Sequence, residues 1–147
     1  MSNPDCYVLS HEAAQKAAAE CASMAAEKGV AASIAVVDAG GHLVAFVRMT
    51  GASLHSMSIA EDKAYTAVSF GASTGALAQV LGALPEHVRD VLRRRPKTVL
   101  LKGGVPLLAE GRRLGAIGVS GAAEEMDEEI ATAGSAAIAR FQRVERK

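Results

Sequence analysis

Residues 33–48, which read SIAVVDAGGHLVAFVR, decide the fold expected of this chain. Two runs rich in β-branched residues, 33–38 and 42–48, flank the pair Gly40-Gly41, and this pattern is typical of a β-hairpin. Side chains alternate along a strand, so the second run has two faces. The alternation places Leu43, Ala45 and Val47 on one face, and His42, Val44, Phe46 and Arg48 on the other.

Helical patterns surround this hairpin. An apolar stripe at helical spacing between Ser10 and Gly29 predicts a helix over residues 11–28. Further helices are expected over residues 57–70, where Ser58 and Glu61 form a capping box, and over 73–80, 85–94 and 123–142. Strand patterns recur at 98–101, 105–109 and 114–120. Strands joined by short turns predict an α+β fold, an antiparallel sheet with helices packed on it.

The bulk composition favours one soluble domain over residues 1–147. The 16 basic residues balance the 16 acidic ones, which gives no electrostatic reason to expect nucleic acid as a partner. No apolar run approaches the roughly 20 residues of a membrane span, and no secretory leader is evident. Cys6 and Cys21 form no C-x-x-C motif, so neither zinc nor redox chemistry is expected of them. These features predict a cytoplasmic protein with no membrane partner.

Several phrases resemble the GlcG/HbpS-like family in order and spacing. They are residues 34–49 (IAVVDAGGHLVAFVRM), 60–70 around Lys63, 103–106 (GGVP) and 115–121 (GAIGVSG). The resemblance spans about residues 10–138, and it implies a profilin-like fold with a sheet of about five strands in a homo-oligomer. The chain departs from the family at Thr50, where an aspartate is usual.

The resemblance also implies a ligand class. Family members include haem-binding proteins, domains attached to corrinoid adenosyltransferases and small proteins from catabolic operons, and some are described as haem-degrading. One fold with several functions does not fix an activity. It does imply a pocket for a small anionic ligand, with possible haem binding as the leading named case.

His55 is expected in the loop before the central helix, near Met49 and Met57. A histidine there can ligate haem or act as a general base, and it can equally be a partly exposed loop residue. Arg48, at the end of the second strand, can hold a ligand carboxylate.

Lys63 lies among apolar residues of the central helix. It can form an ion pair with Asp38, Glu61 or Asp127, or it can bind an anionic ligand. Desolvation lowers the pKa of a lysine, and such a lysine can serve as a general base or a Schiff-base amine.

Three glycines are candidate anion contacts. Gly103 and Gly104 can present backbone N–H groups to a carboxylate or phosphate, although the pair also suits a plain hairpin turn. Gly121 precedes the last helix, whose N-terminus is a natural anion site. The acidic first turn of that helix instead favours capping. No two histidines have i,i+4 spacing, so no metal site is expected.

Three hypotheses remain open. The first is a homo-oligomer that binds haem or another small anionic ligand, with His55 the first haem ligand to test and Met49, Met57 and Tyr65 after it. Its ligand-binding residues are Arg48, Met49, His55, Lys63, Gly103, Gly104 and Gly121. The second is a proton-transfer isomerase or lyase for a small organic acid, with Lys63 or His55 as the catalytic residue. The third is a packing module for another catabolic enzyme.

Overall fold

The computed structural model describes residues 8–141 and shows an α+β fold, as predicted. Cys6 lies outside the described residues. The elements in chain order are α1 (His11–Glu27), β1 (Ser33–Asp38), β2 (Leu43–Arg48), α2 (Leu54–Phe70), α3 (Thr74–Gly82), α4 (Glu86–Arg93), β3 (Gly104–Ala109), β4 (Arg112–Ser120) and α5 (Glu124–Phe141).

The four strands form one antiparallel sheet in the order β2-β1-β4-β3. Helix α2 covers one face, and α1 with α5 covers the other. In the central strand β1, Ile34 and Val36 pack towards α1 and α5, whereas Ala35 and Val37 pack towards α2. This alternation is that of a strand buried on both faces, which explains its continuous run of apolar residues.

The predicted hairpin is confirmed, but a β-bulge alters one of its faces. Val36 pairs with Ala45 while Val37 pairs with Leu43, which leaves Val44 as the extra residue. Leu43 therefore shares the α2 face with Val37, and Val44 packs with the α1–α5 core. The predicted faces of Leu43 and Val44 were wrong because strict alternation does not anticipate an inserted residue.

The strand predicted over residues 98–101 is absent from the described part of the chain, which holds four strands instead of about five. Backbone groups in and beside residues 98–101 instead form hydrogen bonds with side chains of other elements. Thr66 Oγ1 lies 2.8 Å from the carbonyl oxygen of Lys97 and accepts a hydrogen bond from the N–H of Val99 at 3.1 Å. The N–H of Lys102 donates to Glu124 at 3.0 Å. The name profilin-like stays a prediction.

Helix α2 begins three residues before the predicted start. Ser53 caps it, since its hydroxyl oxygen accepts a hydrogen bond from the N–H of Ser56 at 3.2 Å. The capping box predicted at Ser58 and Glu61 was wrong, because both residues lie inside the helix. This shift moves His55 from a loop into the first turn of α2.

Cys21 faces the core from α1, as predicted. The residue is fully buried, and burial raises the pKa of its thiol to about 12. A thiol that stays protonated is a poor nucleophile and a poor metal ligand, so Cys21 is a packing residue. No helix within residues 8–141 is both long and apolar enough to cross a bilayer.

Candidate functional site

The structure divides the predicted site residues into two groups. Arg48 and His55 are exposed where β2 ends and α2 begins. Lys63, Gly103 and Gly104 are buried beneath the middle of α2. The two groups do not form one pocket, so each is described separately.

The exposed group forms a surface patch at the start of α2. The Nη1 atom of Arg48 lies 3.9 Å from the sulfur of Met57, which fixes the end of β2 beside the helix. His55 is exposed in the same first turn, and Leu54 is 70% exposed. We call Arg48, Leu54, His55 and Met57, which surround the start of α2, the α2-start patch; His55 and Met57 leave the helix on opposite sides of the buried Ser56. It combines an imidazole that can ligate a metal, a guanidinium that can hold a carboxylate, and apolar surface.

Helix electrostatics add to this patch. The first turn of α2 contains no acidic residue, so the partial positive charge of the helix N-terminus is not compensated there. Thr50, an uncharged residue, is exposed in the adjoining loop. The patch is therefore cationic, which suits an anionic ligand.

Met49 supports the loop beside this patch and faces inwards. Its sulfur accepts a hydrogen bond from the N–H of Ala32 at 3.4 Å, and its side chain packs against the α1–α5 core. Because the sulfur has an internal partner, Met49 is placed less favourably than Met57 for contact with a ligand.

Lys63 forms the buried ion pair that the sequence left as one alternative, and Asp127 is its partner. The Nζ atom lies 3.1 Å from Asp127 Oδ2 and donates to the carbonyl oxygen of Val119 at 2.8 Å. The two charged side chains are only 2% and 3% exposed. Burial raises the pKa of Asp127, while Lys63 and the N–H of Ala122 oppose that rise. Lys63 thus joins α2, β4 and α5, with Nζ turned towards internal partners.

Gly103 and Gly104 bring the chain close to this ion pair. The N–H of Gly104 donates to Thr74 Oγ1 at 2.9 Å, and the carbonyl oxygen of Gly103 accepts from Val119 at 2.9 Å. A Cβ at Gly103, whose φ is +129°, would lie 2.8 Å from Lys63 Nζ. These contacts show close internal packing, and the amide of Gly104 already donates inside the protein.

Gly121 lies beside the buried group, because its backbone N–H hydrogen-bonds to Asp127, the partner of Lys63. Its φ is +139°, and a Cβ there would lie 2.6 Å from the carbonyl oxygen of Ala31. The residue therefore permits the tight turn from β4 into α5, next to Asp127.

Sequence reasoning missed a cleft between α2 and the hairpin. The cleft has a volume of about 200 Å³ and is lined by Val37, Gly41, Leu43, Glu61, Asp62, Tyr65 and Lys97. We call it the α2–hairpin cleft. Tyr65 and Glu61 were singled out in the sequence for other roles, but the cleft itself was not predicted, because the bulge that moves Leu43 to the α2 face and the left-handed backbone of Lys97 (φ +61°) depend on tertiary contacts.

Asp62 is the perturbed carboxyl group of this cleft. Burial raises its pKa, and the opposing attraction of Lys97 only partly offsets the rise. A carboxylate kept ionised against desolvation reduces stability, and such groups cluster at functional sites.

The variant Asp62→Asn tests whether the ionised Asp62 carboxylate reduces the stability of the protein. The pKa of Asp62 is higher in the folded than in the unfolded chain, so its ionisation costs stability as the pH rises through the folded-state value. We expect the variant to melt roughly 1–3 °C higher at pH 7, a small gain because the side chain is partly solvated. The gain should vanish below the ordinary pKa of 3.8. Thermal melts across this pH range check it, with Glu86→Gln on α4 as the control. A lower melting temperature at pH 7 would contradict it.

Metal binding by clustered side chains finds no support in residues 8–141, where no group of three or more His, Cys, Asp or Glu residues converges. The α2-start patch offers one imidazole, which suits a metal that brings most of its own ligands.

Comparison with known proteins identifies the family. A family model described as "Haem degrading protein HbpS-like" matches residues 9–136. GlcG of Escherichia coli strain K12 is 32% identical over 113 residues, which cover 77% of this chain and 81% of GlcG.

Solved structures agree with that match. A double mutant of HbpS from Streptomyces reticuli is 37% identical, with a TM-score of 0.82 over 92% of this chain and 89% of HbpS. A complex of PduOC with haem is 31% identical, with a TM-score of 0.81 over 89% of this chain and 95% of PduOC. The family model and the structural match each cover most of the chain. The chain therefore belongs to the HbpS-like family.

Proposed function

We propose that this chain binds haem at the α2-start patch, as part of a homo-oligomer. The observation that carries the proposal is an exposed His55 in the first turn of α2, at a helix N-terminus without a compensating acid, with Arg48 exposed at the end of β2. A relative of the same fold, PduOC, has been solved as a haem complex, and this supports haem above other anionic ligands.

The residues of the patch fit the chemistry of haem. His55 would supply an imidazole to hold the iron, and Arg48 a guanidinium to hold a propionate. Leu54, 70% exposed, offers apolar surface for the ring. When bound, haem would supply iron redox chemistry, while the chain would supply binding, orientation and charge compensation.

The cleft is too small for haem and the α2-start patch is open, and both observations favour an oligomer. The α2–hairpin cleft, at about 200 Å³, is smaller than the roughly 300–1,000 Å³ of pockets for drug-sized ligands, so haem does not fit there. The α2-start patch lies on an open surface and would leave one face of a haem in water. A second copy of the chain would cover that face, and symmetric association is the common way to complete such a site.

Haem titration of the purified protein tests the proposal. We expect a shifted Soret band for the natural sequence and its loss in His55→Ala, because the imidazole that would hold the iron is removed. His87→Ala is the matched control, since His87 is an exposed histidine on α4, and it should keep the band. Native mass spectrometry of the loaded protein gives the haem stoichiometry and the number of chains. An unchanged spectrum in His55→Ala would reject this ligand assignment.

A further inference from the structure

We propose that the α2–hairpin cleft is a second ligand site, for a small molecule that carries an ammonium group. It is distinct from the haem site proposed above. His55 and Tyr65 are ten residues apart on α2, a separation of about 15 Å along the helix axis. The two sites can therefore be occupied and tested independently.

Internal contacts hold two parts of the cleft, the ring of Tyr65 and the backbone of Lys97. The ring of Tyr65 lies against Gly41, where any Cβ would come within 2.9 Å of the ring. Lys97 is held by Thr66, whose hydroxyl oxygen lies 2.8 Å from the Lys97 carbonyl oxygen and accepts from Val99 at 3.1 Å. A non-glycine residue with φ +61° is uncommon, and here these contacts over-determine it. Because the Tyr65 ring and the Lys97 backbone are already held, ligand binding does not have to order them.

Charge determines the class of ligand. Glu61 and Asp62 bring two carboxylates to the cleft, against the single ammonium of Lys97. That ammonium lies 4.9 Å from the centroid of the Tyr65 ring, a cation–π contact that holds it over one wall. The lining thus has an excess negative charge, and Asp62 is partly desolvated. An incoming ammonium group would supply the missing counter-charge and could donate to both carboxylates.

Shape and polarity limit the rest of the ligand. Val37 and Leu43 form an apolar wall, and Leu43 is 50% exposed there although it is a large hydrophobic side chain. A short aliphatic chain attached to the ammonium would cover Leu43. The volume of about 200 Å³ accommodates a molecule of a few carbon atoms.

Three probes of matched length test the proposal by isothermal titration calorimetry and ligand-observed NMR. They are n-butylamine, which is positively charged, 4-aminobutyrate, which carries both charges, and butyrate, which is negatively charged. We expect the two ammonium-bearing probes to bind, and the NMR of the bound probe to show contacts with Tyr65. Butyrate should not bind. Equal binding of butyrate and n-butylamine, or no binding of either ammonium probe at millimolar concentration, would overturn the proposal.

Variants then locate the site. Asp62→Asn and Glu61→Gln should each weaken n-butylamine binding by about tenfold or more, the effect of losing a charge-assisted hydrogen bond. Asp90→Asn on α4, outside the cleft, should bind n-butylamine unchanged. Circular dichroism confirms that each variant is folded. Haem titration of Asp62→Asn should match the unmodified protein, so failure of one site does not imply failure of the other. Unchanged n-butylamine binding in both cleft variants would reject this location.

Discussion

Asp127→Asn is expected to lower the free energy of unfolding by about 3–5 kcal/mol. The substitution removes the counter-charge of the buried Lys63 ammonium, and the amide of asparagine has one acceptor oxygen where the carboxylate used two, for Lys63 and for the N–H of Ala122. An unpaired charge at a side chain that is 2% exposed has no water to replace the lost carboxylate. The loss is large because the same carboxylate also accepts from the N–H of Ala122 at the start of α5.

Urea unfolding measures this effect, and α5 itself offers a matched control. Glu129 forms an exposed ion pair with Lys28 at 3.3 Å, with side chains 50% and 41% exposed. Glu129→Gln should therefore cost less than about 1 kcal/mol. Equal losses in the Asp127 and Glu129 variants would contradict the buried-pair assignment.

The double variant Lys63→Met with Asp127→Leu tests whether Lys63 acts only through its ion pair or also contacts the ligand. Replacing both charges by apolar groups removes the unpaired ion, so much of the stability should return. If Lys63 acts only through this pair, haem binding at the α2-start patch should also survive. Loss of ligand binding in a stable double variant would instead support direct contact between Lys63 and the ligand.

Local patterns explain what the sequence could predict. The Gly40-Gly41 turn predicted the hairpin, while apolar periodicity, capping residues, glycine and proline together predicted the five helices found in residues 8–141. That Arg48 and His55 both lie near the junction of β2 and α2 also follows from the chain, because six residues separate them across one short loop. Asp127 was one of three partners that the charge of Lys63 suggested. Each of these inferences depends on interactions that are short in sequence or strongly constrained in chemistry.

The missed features depend on long-range contacts. Residues 98–101 have strand-like composition. The Thr66 hydroxyl, however, forms hydrogen bonds with the backbone groups on either side of Thr98, and composition cannot reveal such a partner. The bulge at Val44 and the left-handed Lys97 then shape a cleft from segments more than thirty residues apart. The candidate ammonium site was for this reason invisible in the sequence.

The glycine-rich phrases that identify the family have a structural explanation here. A Cβ at Gly115 would collide with the carbonyl oxygen of Val37 in β1, and one at Gly104 with the carbonyl oxygen of Lys63 in α2. These glycines allow backbone to approach backbone across the sheet and its covering helix. The phrases therefore specify how the layers pack, and they carry little information about the ligand.

Gly118→Ala is expected to destabilise the protein by about 3 kcal/mol, at the upper end of the usual cost of overpacking. Gly118 lies in β4 directly under α2, and an added Cβ would collide with the carbonyl oxygen of Ala60 and lie 2.6 Å from the nitrogen of Ala64. Backbone atoms cannot rotate away as a side chain can, so α2 must lift from the sheet.

Urea unfolding of Gly118→Ala beside Gly82→Ala isolates this steric effect. Gly82 ends α3 with no heavy atom within 4 Å of its added Cβ, so its substitution should be neutral or stabilising by up to about 1 kcal/mol. Lifting α2 would also displace Met57 from Arg48, and haem affinity at the α2-start patch should fall with stability. A Gly118→Ala protein as stable as Gly82→Ala would show that α2 does not sit on β4 at this position.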